Sequence, residues 1–100
     1  MRLSEAQVCS ITHILRQHFG AESEIRLFGS RLDDSARGGD IDLYIEPELT
    51  DGNELAKALI QSKVALVKAL GDQKIDLVIN RKGSSSLPIY QHARETGVVL

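Results

Sequence analysis

The segment from Asp40 to Glu46 constrains this chain most, because two carboxylates alternate with apolar residues in the run Asp-Ile-Asp-Leu-Tyr-Ile-Glu. Side chains of a β-strand alternate between its two faces, so Asp40 and Asp42 share one face. Glu46 shares that face but lies near the strand end, where we expect it to be solvated. The branched apolar residues at the intervening positions share the other face, which fits a strand with one side in a core. The segment therefore predicts a strand over residues 40 to 46 that presents two acids in the same direction.

The size and composition of the chain describe one small domain. Its 100 residues, of which 42% are hydrophobic and 26% charged, suffice for a single modest core, so we assign one domain to residues 1–100. A formal net charge of -2 provides no broad cationic surface for tight nucleic-acid binding, although a local basic patch stays open. Direct nucleic-acid binding is therefore not expected as the primary role.

Cysteine use and hydropathy predict the compartment. The single cysteine, Cys9, has no partner for an internal disulfide, and its place in an amphipathic helix favours a packing role in a reducing compartment. No apolar run is long enough to span a bilayer, and the N-terminus lacks the apolar region of a signal peptide. We therefore expect a cytoplasmic protein without membrane contact.

Apolar periodicity and helix caps predict an α/β (α+β) fold in which helices pack a small mixed sheet. Spacings of three and four predict two amphipathic helices, the first with a Ser4/Gln7 capping box and the second capped by Asp51 with Glu54 and stopped by Gly71. A nearly continuous apolar run at 74–80 indicates a central strand buried on both faces. The predicted elements are a helix from Ser4 to Phe19, a strand from Glu24 to Phe28, a helix from Asp51 or Gly52 to Leu70, a strand from Lys74 to Asn80, a short helix from Pro88 to Glu95, and a segment from Gly97 to Leu100 that adds a strand or docks on a partner.

Asp76 interrupts the apolar run of the third strand, where an ionised carboxylate is costly unless a cation or a donor compensates it. If that strand neighbours the first acidic strand, Asp40, Asp42 and Asp76 converge on one surface and suit Mg²⁺, which prefers oxygen ligands. Two such ions roughly 3.5–4 Å apart would activate an attacking oxygen and stabilise a leaving one. Two alternatives stay open: the first two acids form the solvated face of an edge strand, or Asp76 pairs with Arg26 or Lys74.

Gly29 and Ser30 follow the first predicted strand and offer a phosphate site. Gly29 has no Cβ, so backbone N–H groups and the Ser30 hydroxyl can approach phosphate oxygens closely. Arg31 and Arg37 add positive charge, and Gly39 lets the loop fold towards a ligand. The ordinary alternatives are a common Gly-Ser turn and a solvated Arg37. No Gly-x-x-x-x-Gly-Lys-Ser/Thr sequence is present, which disfavours a Walker-type NTPase.

Together these motifs resemble the DNA polymerase β-like nucleotidyltransferase superfamily, specifically its minimal nucleotidyltransferase (MNT) branch. The resemblance rests on Gly29-Ser30, a nine-residue gap, the Asp40-Ile-Asp42-Leu sequence and a third acid at Asp76, and it spans nearly the whole chain. It implies the polymerase β-like fold, a Gly-Ser pair that holds nucleotide phosphates, and two acids, Asp40 and Asp42, that bind two Mg²⁺. The acid at Asp76 would complete the metal site and help to activate the acceptor hydroxyl.

The same resemblance implies a biological role. Many minimal members are encoded beside an all-helical HEPN (higher eukaryotes and prokaryotes nucleotide-binding) protein, a toxin ribonuclease. Some act as antitoxins by transferring AMP from ATP to a tyrosine of that toxin. We therefore expect a Mg²⁺-dependent nucleotidyltransferase with a protein acceptor. A partner or a second copy must supply the surface that larger members build from extra domains, so the assembly is either homo-oligomeric or hetero-oligomeric.

Two further acids favour an alternative role. Asp33 and Asp34 lie where a triphosphate would approach, and exposed carboxylates repel phosphate by an amount that salt reduces. The alternative is a non-catalytic antitoxin or regulatory binding module that neutralises a HEPN partner by contact.

A histidine metal site is disfavoured, because His13 and His18 lie on different faces of a helix. Tyr44 either stacks on a base or packs beside the site.

Overall fold

The computed structural model describes residues 4–28, 41–71, 74–81 and 88–100, with the backbone alone at 89, 92 and 94. The predicted α/β fold with a small mixed sheet is confirmed, and each predicted element differs from the observed one by at most one residue at either end. The elements follow in the order α1 (Glu5–Phe19), β1 (Glu24–Phe28), β2 (Ile41–Glu46), α2 (Gly52–Leu70), β3 (Ile75–Ile79), α3 (Pro88–Thr96) and β4 (Val98–Val99).

The four described strands form one mixed sheet in the order β3-β2-β1-β4. β2 pairs in parallel with β3 and antiparallel with β1, and β1 pairs antiparallel with β4. Because the parallel neighbours β2 and β3 are joined through α2, they form a βαβ unit with the helix on one face of the sheet. β2 is therefore an interior strand, and the interpretation of Asp42 as part of a solvated edge strand is wrong.

β3 lies at the edge of the sheet, so the predicted central position of this strand is wrong. Ile75 is buried, and the other four residues of β3 are half-buried. Leu77 and Ile79 contact the main core, whereas Val78 contacts a second cluster on the opposite face. The continuous apolar run thus reflects cover on both faces, and an edge position is compatible with that cover.

The caps of α1 and α2 form as predicted. The Ser4 hydroxyl accepts a hydrogen bond from the Gln7 amide at 3.1 Å, and the Gln7 side chain accepts one from the Ser4 amide at 2.9 Å. Asp51 caps α2 by accepting a hydrogen bond from the Glu54 amide at 2.9 Å. A cap of this kind stabilises a helix by about 1 kcal/mol, because it satisfies an amide with no partner inside the helix. Gly71 ends α2 with φ 86°, a left-handed conformation that favours glycine.

α1 and α2 cover one face of the sheet and enclose the main core. Ile11, Leu15 and Phe19 recur along α1 at a spacing of four and are fully buried. Full burial of such a side chain contributes roughly 1.5–3 kcal/mol, so this face supplies much of the hydrophobic stabilisation. The sheet contributes the alternate residues of its strands, namely Ile25, Leu27, Ile41, Leu43, Ile45 and Ile75.

The outer face of α1 is exposed. Cys9 is exposed, so the predicted packing role of this thiol is wrong. Its position two residues before the buried Ile11 turns it about 200° around the helix, away from the core. His13 is exposed, and His18 is half-buried with its Nδ1 2.8 Å from the Ile14 carbonyl oxygen. None of the helices in the described ranges combines the length and the apolarity needed to cross a bilayer.

α3 lies on the opposite face of the sheet, against β1 and β2, and closes a smaller apolar cluster. Phe28, Tyr44 and Ala93 are buried in this cluster, and Val78 and Tyr90 pack against them. The rings of Tyr44 and Tyr90 have centroids 6.2 Å apart and planes tilted by 57°, a favourable arrangement for two aromatic side chains. The second face of the sheet is therefore partly apolar, and the same face carries the acids.

Candidate functional site

The second face of the sheet is built from three rows of cross-strand neighbours. Residues that face one another across adjacent strands point to the same side of the sheet, so each row groups side chains from two to four strands. Acids occupy the first and third rows, and a fully buried tyrosine occupies the row between them. The rows are Phe28-Asp42-Asp76, Val99-Arg26-Tyr44-Val78 and Glu24-Glu46.

Asp42 and Asp76 are direct neighbours across the parallel pair of β2 and β3. Each is the second residue of its strand, and both are half-buried. Adjacent strands lie about 4.8 Å apart, so the two carboxylates start from neighbouring positions on the same face. Like charges at this spacing repel each other, and a cation bound between them would convert that repulsion into attraction. The structure thus brings together two of the three acids that the sequence singles out.

The predicted alternative partners, Arg26 and Lys74, do not pair with Asp76. Arg26 is on β1, two strands away from β3, and its Nε donates to Glu24 at 3.0 Å while its Nη2 donates at 3.3 Å. Within the described ranges, no residue forms an ion pair or a side-chain hydrogen bond with Asp76. The predicted pairing of Asp76 with Arg26 or Lys74 is therefore wrong. Half-buried and without such a contact, the Asp76 carboxylate is suited to a ligand.

Arg26 instead serves the acids of the third row. Glu24 and Glu46 face each other across β1 and β2, and Arg26 holds Glu24 through two hydrogen bonds. The hydrogen bonds to Glu24, with the negative charges of Glu24 and Glu46, raise the pKa of Arg26 although burial opposes the rise. Glu46, which the sequence predicts to be solvated, is half-buried and within the field of this guanidinium. Opposite charges two residues apart on one strand were the sequence signal for the pair of Arg26 and Glu24.

Tyr44 separates the two acidic rows and is fully buried. Its hydroxyl accepts a hydrogen bond from Asn80 Nδ2 at 2.9 Å, and its ring packs against Tyr90. A ring with no exposed surface cannot stack on a base, so the packing interpretation of Tyr44 is confirmed. Asn80 and Tyr90 were missed by the sequence analysis, because neither belongs to a motif and both reach the site only through the fold.

Six predicted site residues lie outside the described residues, and their roles stay predictions. The described chain leaves β1 at Phe28 and re-enters β2 at Ile41. Phe28 is the cross-strand neighbour of Asp42, so the intervening segment starts and ends in the chain beside the first row. The six residues are Gly29, Ser30, Arg31, Arg37, Gly39 and Asp40.

The donor set of the first row fits a hard cation. Asp42 and Asp76 offer carboxylate oxygens, the ligand type that Mg²⁺ prefers, and Mg²⁺ commonly needs only one or two protein carboxylates beside phosphate and water. Among the described residues, no group of three histidines, cysteines or acids lies together. Asp40, the third predicted oxygen donor, falls outside them. The described half of the site therefore fits the predicted metal by chemistry and by position.

A groove lies on the other side of the sheet. It is formed between α1 and α2, has a volume of about 310 Å³, and is separated from Asp42 and Asp76 by the sheet and the main core. Both signs of charge line it, so it shows no preference for an anion or a cation. The lining residues include Gln17, His18, Asn53, Glu54, Lys57 and Gln61.

Comparison with known proteins assigns no family to the chain. No protein-family model matches it, and no curated protein matches it. A function for this chain is therefore argued from its own residues, their arrangement on the sheet and the resemblance of its motifs.

Proposed function

We propose that this protein is a Mg²⁺-dependent nucleotidyltransferase with the polymerase β-like fold. The alignment of Asp42 with Asp76 across parallel neighbouring strands carries the proposal. Two carboxylates on one face, each at the start of its strand, are the described part of the arrangement that the MNT resemblance requires. The mixed sheet with helices on both faces is compatible with that fold.

Each residue of the proposed site would have a distinct role. Asp40 and Asp42 would hold two Mg²⁺, and Asp76 would complete the metal site and accept the proton of the acceptor hydroxyl. Gly29 and Ser30 would bind nucleotide phosphates through backbone amides and the hydroxyl, with Arg31, Arg37 and Gly39 beside them. Bound Mg²⁺ would neutralise charge on the phosphates and stabilise the leaving oxygen.

The transferred group would be AMP. The acceptor oxygen would attack the α-phosphorus of ATP, the bond from that phosphorus to the bridging oxygen would break, and pyrophosphate would leave. The proposed acceptor is a tyrosine hydroxyl of a HEPN-type toxin, which would make the protein an antitoxin.

A contact surface on α2 favours a second candidate function. Ile60, Val64 and Val67 are apolar side chains exposed on this helix. A non-catalytic antitoxin or regulatory module would neutralise its HEPN partner through a surface of this kind and would need no nucleotide. In that case the acids of the first row would serve no chemical step, and their replacement would leave neutralisation intact.

Transfer of labelled AMP tests the first candidate. Extract from the source cells would be incubated with the protein, Mg²⁺ and ATP labelled at the α-phosphate, with γ-labelled ATP in a parallel reaction. We expect a protein band that carries the α-label, is absent with EDTA, and is lost with Asp42→Asn and Asp76→Asn. Glu22→Gln is the matched control, because Glu22 is an exposed acid in the turn before β1.

The position of the label separates the outcomes. A band labelled only from the γ-phosphate would indicate kinase chemistry and would contradict nucleotidyl transfer. Transfer that survives Asp42→Asn would contradict the proposed site. Neutralisation of a toxin by both the wild type and Asp42→Asn, with no band in either, would favour the second candidate.

A further inference from the structure

We propose that the outer face of α2 is a docking surface for an α-helix of another protein, one whose apolar stripe is flanked by carboxylates. The inference does not depend on the proposed chemistry, because this surface lies on the helical layer and shares no residue with the acidic rows. We call this surface the α2 stripe. It consists of Ile60, Val64 and Val67 with the lysines Lys57, Lys63 and Lys68.

The apolar part of the α2 stripe is strongly exposed. Ile60 is 66% exposed, Val64 51% and Val67 47%, although each is a residue type that folding usually buries. Spacings of four and three place them in one line along the helix. With about 100° of rotation per residue, Val64 lies about 160° from the fully buried Ser62 and Leu66. The stripe therefore faces directly away from the core of its own domain.

The charges beside the apolar line have one sign. Lys57 and Lys63 lie three residues on either side of Ile60, about 60° to each flank, and Lys68 lies about 40° from Val64. All three lysines are exposed. Residues 55–70 of α2 contain no Asp or Glu; the acid of this helix that lies nearest to the lysines is Glu54, in the first turn and three residues before Lys57, so Lys63 and Lys68 have no acid within a turn of the helix. An apolar line between basic flanks is complementary to an apolar line between acidic flanks.

An acidic amphipathic helix fits this surface better than the other occupants do. A second copy of the chain would place lysines against lysines in a paired α2, which like-charge repulsion disfavours. A bilayer surface usually binds helices with a broad apolar face rich in Trp, Phe or Leu, whereas this line has three β-branched residues between nearby lysines. Residues spaced by four and three form a ridge that packs into the groove of another helix. Flanking charges then select the partner.

A synthetic helical peptide with the proposed chemistry of the partner tests the proposal. The probe has leucines spaced by four and three between flanking glutamates, and a matched peptide has lysines in place of those glutamates. Each would be titrated to about 1 mM into the ¹⁵N-labelled full chain, since a short contact of this kind binds weakly. We expect the acidic peptide alone to shift amide resonances of α2, with binding that weakens as salt is raised.

Matched variants separate the apolar and charged contributions. The triple variant Ile60→Gln/Val64→Gln/Val67→Gln should bind the acidic peptide at least about 10-fold more weakly, while glutamine keeps the helix intact. Reversal of the three lysines to glutamate should exchange the preference, so that the basic peptide binds and the acidic one does not. Val99→Gln on β4 is the control, because Val99 is exposed to a similar degree, 55%, and lies outside the stripe.

Several results would overturn the proposal. These are the absence of α2 shifts with the acidic peptide at about 1 mM, equal binding of both peptides, and binding that the triple glutamine variant retains. A dimer of the wild type that the triple variant abolishes would assign the stripe to a second copy. Sedimentation with vesicles containing phosphatidylserine, lost in the same variant, would assign it to a membrane. None of these measurements uses nucleotide, so failed AMP transfer and failed docking are distinguishable.

Discussion

The two ends of one sheet face carry acidic residues in different surroundings. In the third row, Glu24 and Glu46 face each other, and the guanidinium of Arg26 holds Glu24 through two hydrogen bonds. In the first row, Asp42 and Asp76 face each other, and within the described ranges no residue forms an ion pair or a side-chain hydrogen bond with Asp76. The fold itself therefore supplies a cation to one end of the face and, among the described residues, leaves Asp76 without one at the other.

The difference separates a structural acid pair from a candidate functional one. Carboxylates that share a guanidinium from their own sheet have their charge offset as the chain folds. A half-buried carboxylate beside another acid, without such a contact, keeps its oxygens accessible to a cation from solution. Tyr44 fills the middle row between the two ends. Four predictions test whether the two ends differ in function as they differ in structure.

The largest expected effect is on AMP transfer. Asp42→Asn should lower the rate of α-label transfer by roughly 10³-fold or more, since losing a single electrostatic stabiliser of a transition state already costs about 10²–10³-fold. Glu46→Gln is the control, because Glu46 lies four residues along the same strand and on the same face. Its transfer rate should stay within about 3-fold of the wild type. Equal losses in the two variants would erase the functional difference between the ends.

Mg²⁺ should stabilise the wild type through the acids of the first row and not through those of the third row. At a free concentration ten times its dissociation constant, a ligand of the folded state adds about 1.4 kcal/mol, and about 1 kcal/mol shifts the Tm of a small domain by roughly 4–8 °C. Asp76→Asn should abolish the shift without lowering the Tm in EDTA, because it removes a repulsion. Arg26→Gln should retain the shift. A Mg²⁺ shift that persists in Asp76→Asn would place the ion elsewhere.

Local patterns in the sequence predicted the helices and strands and singled out Asp42 and Asp76 as candidate site residues. The period of two placed the acids on one face without reference to strand pairing, and the side chains of Ser4 and Asp51 marked the helix starts that the structure shows. Alignment of Asp42 with Asp76 needed one further assumption, that their strands are neighbours, and the structure supports it. Most of these features depend on residues close together in the chain, which is why the sequence could predict them.

Features that depend on how distant parts of the chain pack together were harder to predict from the sequence. The apolar run of β3 correctly indicated that side chains on both faces are covered. Burial of the two faces does not reveal how many strands pair with β3, so an edge strand was mistaken for a central one. Cys9 belongs to an amphipathic helix, yet its angle from Ile11 turns it outward. The bond from Asn80 to Tyr44 joins residues 36 positions apart and has no local signature. The roles of Asp42 and Asp76 stay predictions, as do those of the site residues between Gly29 and Asp40, which lie outside the described residues.

Removal of the Tyr44 hydroxyl should loosen the row that separates the two ends. Tyr44→Phe leaves the Nδ2 group of half-buried Asn80 without this acceptor, so we expect a loss of about 1 kcal/mol in the free energy of unfolding. Tyr90→Phe is the matched control, because Tyr90 belongs to the same cluster and forms no hydroxyl bond with another described residue. Urea denaturation of both variants measures the difference. Equal stabilities would mean that the Asn80 bond contributes nothing.

The smallest expected effect is on the free energy of unfolding, from loss of the ion pair between Arg26 and Glu24 beside the third row. Arg26→Gln should cost about 0.5–1 kcal/mol, the range for an ion pair that is partly solvated, since the side chains of Arg26 and Glu24 are 21% and 35% exposed. A double-mutant cycle with Glu24→Gln isolates the pair, and high salt should shrink the coupling. The raised pKa of Arg26 means that its contribution is present below its ordinary pKa and is lost only as the pH rises through the raised value. Titration of Arg26 should therefore leave the coupling unchanged between about pH 6 and 9. A coupling free energy near zero at low salt would show that the ion pair of Arg26 and Glu24 does not stabilise the fold. Arg26 would then not explain the difference between the acids of the third row and those of the first.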